Sequence, residues 1–225
     1  MIARELIDTA QVPGGEELRL FRHGRDFMIV LDRNELMSSR MSGSEEALAT
    51  MSLERIAGHK RKHLLIGGYG MGFTLRKALE TIGRDGRVTV AELVPKIVEW
   101  ARGPMKELEA GCLDDPRVDL VEADVALIIA GARAEFDAIL LDVDNGPDGL
   151  VRDENGQLYS RAGLLAAREA LKPGGVLAIW SAGPDPAFAT RLRKARFDVD
   201  EVRVRARSNG KGAKHVIWFA RNTVG

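Results

Sequence analysis

Short apolar runs alternate with amphipathic stretches from residue 62 onward. The apolar runs predict strands near 62–67, 87–92, 117–122, 137–142 and 175–181, and helical spacing predicts helices near 72–82, 94–110, 124–131, 160–171 and 186–195. Two more strand-like runs, near 197–206 and 214–220, follow. Strands that alternate with helices are typical of a parallel sheet. We therefore predict an α/β fold with a Rossmann-like, doubly wound sheet of seven strands, five parallel and two in a terminal antiparallel pair.

The first 60 residues follow a different pattern. Runs 17–22 and 26–31 predict two strands joined by a hairpin turn at 23–25. A helical pattern then begins at Ser44, the expected N-cap, has Glu45 and Glu46 in its first turn, and ends at Gly58. We divide the chain into a small hairpin-plus-helix region, 1–60, and a Rossmann-like domain, 61–225. Within the latter, residues 172–175 (Lys-Pro-Gly-Gly) predict a helix stop and a turn before the fifth strand.

A glycine-rich turn follows the first strand of the larger domain. It contains Gly68, Gly70 and Gly72, and the next strand ends in Glu92, about twenty residues further on. Glycines let a backbone turn sharply and approach a ligand closely. A carboxylate at this spacing can accept hydrogen bonds from the two hydroxyls of a ribose. The pattern predicts a site for an adenosine-type cofactor, with a tight turn that binds no ligand as the alternative.

Aspartates follow the next two predicted strands. Asp124 comes after the third strand and Asp142 ends the fourth. In open α/β sheets, ligands bind at the carboxyl ends of the strands. Both carboxylates are therefore expected at the same edge as the glycine turn.

Composition narrows the possible classes of function. The 225 residues include 33 basic and 33 acidic ones, so no net charge favours nucleic acid, although residues 191–214 are locally basic. Cys112 is the single cysteine, which excludes an intrachain disulfide and a thiolate zinc cluster, and the four histidines lack metal-ligand spacing. No metal site is expected. The sequence shows neither a signal-peptide pattern nor an apolar run of bilayer length, so we expect a soluble, cytoplasmic protein without a membrane partner.

The order of these motifs resembles the class I S-adenosylmethionine-dependent methyltransferase fold and, within it, the spermidine synthase (polyamine aminopropyltransferase) family. That family reads V-L-V-I-G-G-G-D-G-G at the glycine loop, where this chain reads L-L-I-G-G-Y-G-M-G over 64–72. Its V-E-I-D-P, D-P-R-V and G-D correspond here to A-E-L-V-P over 91–95, D-P-R-V over 115–118, and A-D over 123–124. Its aspartate-rich turn, L-[FY]-[ST] and A-L-K-P-G-G correspond to D-V-D-N-G-P over 142–147, L-Y-S over 158–160, and A-L-K-P-G-G over 170–175. The likeness covers roughly residues 60–185.

The resemblance implies an enzyme that transfers an aminopropyl or methyl group to a small acceptor, expected to be an amine. The implied cofactor is S-adenosylmethionine or its decarboxylated form, with S-adenosylhomocysteine or methylthioadenosine as product and no metal. The glycine loop would cradle the sulfonium and amino-acid end, Glu92 would hold the ribose, and Asp124 would accept from the adenine amino group beside Val125. The implied cofactor site comprises Gly67, Gly68, Tyr69, Gly70, Gly72, Glu92, Leu93, Asp124 and Val125.

Asp142 falls where the family keeps its catalytic acid. A protonated amine must lose a proton before it attacks, and a carboxylate at the reactive end of the cofactor can take that proton. Asp144 and Asn145 would orient the acceptor, and Tyr69 and Tyr159 would form walls of the cleft. The alternative is a turn in which the Asp and Asn side chains cap the backbone.

Two departures from the family limit this assignment. Gly70 stands where the family loop has an acid, and residues 34–46 lack its amino-terminal substrate signature. Putrescine aminopropyl transfer is therefore expected to be weak or absent. A methyltransferase for another acceptor, including nucleic acid, and a cofactor-binding protein without catalysis are the alternatives, and an NAD-dependent dehydrogenase fits less well. A homodimer is expected from the resemblance and because an isolated two-stranded hairpin is marginal in water.

Overall fold

The computed structural model describes residues 3–143 and 155–223, and it begins with a four-stranded antiparallel sheet. Its strands are β1 (Glu5–Gln11), β2 (Glu17–His23), β3 (Asp26–Leu31) and β4 (Asn34–Ser38). The predicted hairpin is the central pair, β2 and β3, but the prediction of only two strands is wrong. The edge strands β1 and β4 are rich in polar residues, so they lack the apolar pattern by which a strand is recognised.

The second sheet has seven strands, as predicted. They are β5 (His63–Gly67), β6 (Arg87–Glu92), β7 (Val118–Glu122), β8 (Phe136–Leu141), β9 (Leu171–Ser181), β10 (Asp198–Arg205) and β11 (Lys214–Arg221). Their order is β10-β11-β9-β8-β5-β6-β7, and β11 runs antiparallel to both of its neighbours. The order reverses between β5 and β8, which pair in parallel with each other. Such a switch point opens a crevice at the carboxyl ends of the strands.

Helices cover both faces of this sheet. They are α1 (Gly43–Arg55), α2 (Phe73–Thr81), α3 (Pro95–Arg102), α4 (Lys106–Glu109), α5 (Val125–Gly131), α6 (Asn155–Leu158), α7 (Arg161–Ala170) and α8 (Pro186–Lys194). Alternate residues of β5 enter two separate hydrophobic cores: Leu64 and Ile66 pack with α1, α2 and α3, whereas Leu65 packs with α5, α7 and α8. The inner face of the small sheet, with Leu20 and Ile29, joins the first of these cores.

Three local predictions are corrected. The helix predicted over 94–110 is broken into α3 and α4, because the segment between them contains Pro104, which disfavours the helical conformation at Gly103. Residues 172–175, predicted as a turn, lie within β9, where the pairing with β8 shifts register. The N-cap of α1 is Ser42 rather than Ser44, whose side chain is buried.

The division of the chain at residues 60 and 61 stays a prediction. The helix α1, which that division assigns to the first region, packs against α2 and β9 of the larger sheet, with Leu48 and Ala49 fully buried. Over residues 3–143 and 155–223, every helix is too short or too polar to cross a bilayer.

Candidate active site

The glycine loop lies where β5 ends, beside the first residue after β8. The backbone of Gly68 and Gly70 has φ angles of +85° and +55°, in the left-handed region that favours glycine. A Cβ atom on Gly68 would lie 2.8 Å from the carbonyl oxygen of Asp142, and one on Gly70 would lie 2.7 Å from the Met37 sulfur. The backbone of these two glycines therefore lies so close to Asp142 and Met37 that neither position has room for a Cβ atom unless a neighbour moves.

Glu92 is held firmly at the end of β6. The residue is only 5% exposed. Its two carboxylate oxygens accept hydrogen bonds from the backbone N–H groups of Tyr69 and Val94, each at 2.9 Å. Burial raises the pKa of this carboxyl group, and the N–H donors oppose that rise. Because each carboxylate oxygen has two lone pairs, the fixed carboxylate can still accept from a ligand.

The side chain of Tyr69 is largely buried. It is 5% exposed and its hydroxyl lies 3.6 Å from the Cys112 sulfur, in the first hydrophobic core. The residue lines a small pocket together with Gly68, Gly70 and Asp142, and the role of its ring as a wall of the cleft stays a prediction. The residue's structural contribution is its backbone N–H group, which holds Glu92.

Asp124 caps the helix that follows β7. Its Oδ1 atom accepts a hydrogen bond from the backbone N–H of Ala126 at 2.8 Å. Together with Leu93 and Val125, it lines a cleft that also contains Gly68 and Glu92. This cleft contains about 740 Å³ of empty space, a volume that includes its open mouth. Six of the nine predicted cofactor residues line this cleft, namely Gly68, Gly70, Glu92, Leu93, Asp124 and Val125, whereas Gly67, Tyr69 and Gly72 do not.

Asp142 lies at the junction of the cleft with a second cavity. That cavity has about 780 Å³ including its mouth, and Leu36, Met37, Asp142 and Val143 line both spaces. The Thr74 hydroxyl donates to the Asp142 carboxylate at 3.3 Å, and burial raises the pKa of Asp142 to about 6. A carboxyl group with such a pKa is suited to take up a proton near neutral pH.

Sequence reasoning missed Glu45, which lines the second cavity beside Asp142. Burial, followed by repulsion from the Asp142 carboxylate, raises the pKa of Glu45 to about 8. The sequence contained a signal, because Glu45 has the helical spacing of the buried residues Leu48, Ala49 and Ser52 on α1. An acid in the first turn of a helix is favourable there without any further role, which is how the sequence pattern alone explains it.

The remaining predicted acceptor residues are described only in part. Asp144 and Asn145 lie outside the described residues. Tyr159 is 2% exposed in the second core, with its ring edge-on to Phe188, and its role toward an acceptor stays a prediction. No group of three or more His, Cys, Asp or Glu residues within 3–143 and 155–223 is arranged to hold a metal ion.

Comparison with known proteins agrees with this geometry. The family model described as the spermine/spermidine synthase domain matches residues 41–185. The chain belongs to this family. A polyamine aminopropyltransferase from Mycobacterium tuberculosis strain H37Rv is 33% identical over 174 residues, which cover 75% of this chain and 31% of that protein. Putrescine N-methyltransferase 2 from Nicotiana tabacum is 38% identical over 118 residues, which cover 52% of this chain and 31% of that protein.

The fold of the spermine/spermidine synthase family extends over nearly the whole chain. The crystal structure of spermidine synthase from Thermotoga maritima superimposes with a TM-score of 0.76 at 21% identity, covering 98% of this chain and 74% of that one. The predicted methyltransferase-like fold and the family resemblance are confirmed. The chain spans about a third of the length of the two curated relatives.

Proposed function

We propose that this protein is an alkyltransferase that moves an aminopropyl or methyl group from S-adenosylmethionine, or its decarboxylated form, to a small amine. The observation that carries the proposal is the cleft in which the glycine loop, the fixed Glu92 carboxylate and Asp142 converge. Relatives named as polyamine aminopropyltransferases and putrescine N-methyltransferases support the same reaction class.

The residues of the cleft suit an adenosyl sulfonium. The glycines leave room for the backbone to approach a ligand, and Glu92 presents a buried carboxylate to a pair of ribose hydroxyls. By resemblance to the family, Asp124 would accept from the adenine amino group and Val125 would pack beside the ring. Bound there, the cofactor supplies a carbon that its sulfonium activates.

The chain's own part in the reaction is to position the acceptor and to deprotonate it. Asp142 lies between the cofactor cleft and the second cavity, so a nitrogen bound in that cavity would reach both the carboxylate and the cofactor. Its raised pKa matches the role of a general base. Asp144, Asn145 and Tyr159 would complete the acceptor site, as the family resemblance implies.

Methyl transfer is the favoured form of the reaction. In the family, an acid in the glycine loop helps to hold the amine end of decarboxylated S-adenosylmethionine, and Gly70 replaces it here. The Met37 sulfur occupies the space into which a side chain at position 70 would project, at 2.7 Å from its Cβ position. An aminopropyl ammonium would therefore find a thioether where the family offers a carboxylate.

A ligand panel tests the cofactor assignment. The melting temperature would be measured with S-adenosylmethionine, decarboxylated S-adenosylmethionine, methylthioadenosine and NAD. A ligand at 100 times its Kd stabilises the folded state by about 2.7 kcal/mol, which raises the melting temperature of a chain of this size by about 5–11 °C. A rise with the adenosyl sulfonium compounds but not with NAD is expected. Unchanged melting with all four would falsify the proposal.

The acceptor is found by a second assay, in which labelled S-adenosylmethionine is incubated with a set of amines. Transfer of label to an amine is expected. Cofactor binding without transfer to any amine would favour the alternatives, a methyltransferase for another acceptor or a cofactor-binding protein without catalysis.

A further inference from the structure

The second cavity has the composition of a site for an aliphatic amine. Its walls are largely apolar, and its charged lining residues are Glu35, Glu45 and Asp142, with His215 as the one titratable base. No lysine or arginine lines it in the described part of the chain. An apolar cavity with carboxylates complements an alkyl chain that ends in an ammonium group.

Glu45 is oriented toward this cavity by a chain of hydrogen bonds. The Ser44 hydroxyl donates to Oε2 of Glu45 at 2.9 Å, and the same hydroxyl lies 2.9 Å from Nδ1 of His215. On the other side, the Thr74 hydroxyl contacts both the Asp142 carboxylate, at 3.3 Å, and the backbone carbonyl of Glu45, at 3.5 Å. Thr74 thus contacts the Asp142 side chain and the Glu45 backbone, and both acids line the second cavity.

Two further side chains of the cavity have unsatisfied polar atoms. Ser38 is 3% exposed and Trp180 is 8% exposed, and neither Oγ of Ser38 nor Nε1 of Trp180 has a hydrogen-bond partner among the described residues. Buried polar groups in proteins are normally paired. Ser38 and Trp180 line the same cavity as the two carboxylates, so a polar occupant of this cavity would supply the missing partners.

We propose that Glu45 is the second carboxylate of the acceptor site, which together with Asp142 binds the ammonium group of an aliphatic amine. This inference rests on the proposed alkyl transfer. Glu45 thus supplies, from α1, a negative charge near the site, whereas the glycine loop has none because Gly70 replaces the family's acid. Glu35 and His215 line the same cavity, and Glu46 is the next acid on α1.

Binding and deprotonation of the amine would each move a proton at the two carboxyl groups. Without an amine, the two partly buried carboxyl groups repel each other's charge, so we expect the pair to hold one proton at neutral pH. A bound ammonium neutralises them and releases that proton to solvent. The ammonium then gives one of its own protons to a carboxylate, and its freed lone pair forms the C–N bond. The C–S bond breaks with its electron pair remaining on sulfur, which leaves a neutral thioether.

The test is a calorimetric titration of putrescine into the full chain saturated with methylthioadenosine. Measurements at pH 7 in phosphate and in Tris, whose ionisation enthalpies differ, count the protons released on binding. The wild-type protein should release a proton. Glu45→Gln should bind putrescine about 10- to 150-fold more weakly, the usual loss for a hydrogen bond to a charged group, and release none. Its affinity for methylthioadenosine should be unchanged.

Glu46→Gln is the matched control, because it makes the same change at the next position of α1 and Glu46 does not line the cavity. It should behave as wild type. Glu45→Asp keeps the charge and should recover proton release, which a merely structural role would not predict. Wild-type affinity and proton release in Glu45→Gln would overturn the proposal, even if labelled transfer to amines proceeds normally. If methylthioadenosine itself fails to bind the wild-type protein, the proposed function falls first, and the role of Glu45 falls with it.

Discussion

Replacing Glu92 with glutamine should destabilise the folded protein even without a ligand. The buried carboxylate accepts one hydrogen bond from the backbone N–H of Tyr69 and one from that of Val94, both at 2.9 Å. The amide group of glutamine has only one acceptor oxygen, so one of these N–H groups would face another donor. A buried polar group left without a partner costs about 1–3 kcal/mol. For a chain of this length, each kcal/mol lowers the melting temperature by about 2–4 °C.

The same substitution should weaken cofactor binding by a separate mechanism. A hydrogen bond to a charged acceptor contributes about 1.5–3 kcal/mol, so the Kd for methylthioadenosine should rise about 10- to 150-fold. Thermal melting of the free protein gives the first effect, and calorimetric titration of methylthioadenosine into the folded variant gives the second. Glu92→Ala, which removes both acceptor oxygens, should weaken binding by at least as much.

Glu122→Gln is the control for both measurements. Glu122 pairs with Glu92 across β6 and β7, but it is exposed, so the same change at the same edge of the sheet should alter little. The reasoning would be refuted by a Glu92→Gln protein that melts like wild type and binds methylthioadenosine with unchanged Kd, because Glu92 would then be neither a backbone anchor nor a ligand contact.

Four other predictions follow from the site. Asp142→Asn should slow transfer about 10²–10⁴-fold with little change in cofactor affinity; wild-type turnover in this variant but none in Asp144→Asn would move the base two positions along the chain. Putrescine aminopropyl transfer should be weak or absent because Gly70 replaces the loop acid, and a steady-state rate of about 1 s⁻¹ or more would contradict this. The protein should be a homodimer, which light scattering at the 24.6 kDa monomer mass would disprove. Stability should fall from pH 5 to 8 more steeply in wild type than in Glu45→Gln, since an acid whose folded pKa is raised loses its stabilising contribution as the pH rises from its unfolded pKa, 4.5, to its folded pKa, about 8; parallel melting curves across this range would argue against a raised pKa.

The small amino-terminal sheet packs on its own chain. The sequence suggested an isolated hairpin that needed a partner surface, but the small sheet has four strands and buries Leu20 and Ile29 in the first core of its own chain. A sheet of this size that packs on a core needs no second copy for its stability. The expectation of a dimer now rests on the family resemblance alone.

The larger sheet could be predicted because its strands carry strong local signals. In β5, β8 and β9 the central residues are buried on both faces, which produces continuous apolar runs. Their observed ends differ from the predicted ones by at most four residues, and the ends at Gly67 and Ser181 coincide. The strands β1 and β4 could not be recognised in the same way. Each is an edge strand with polar residues such as Asp8 and Glu35, and its pairing partner, rather than its own sequence, makes it a strand.

The residues of the candidate site also differ in whether local sequence could predict them. Backbone features such as the glycine turn and the strand-end acids Glu92, Asp124 and Asp142 are fixed by local sequence, and the structure brings them to one cleft. Glu45 depends on how α1 packs across β9 and α2, a contact between distant parts of the chain. Local reasoning assigned it to the helix dipole, since an acid in the first turn of a helix is favourable there without any further role.

Position 70 and position 45 are best understood together. An aspartate at position 70 would need a Cβ atom 2.7 Å from the Met37 sulfur, on a backbone with φ of +55°, so the loop could not regain its acid without displacing Met37. Met37 in turn lines the boundary between the cofactor cleft and the second cavity, beside Asp142. Negative charge near this boundary is therefore shifted away from the cofactor's amino-acid end and toward the second cavity, where Glu45 joins Asp142. A site so arranged attracts a cation at the acceptor position but offers no carboxylate to an ammonium on the transferred group, which aminopropyl transfer needs in addition and methylation of an amine does not.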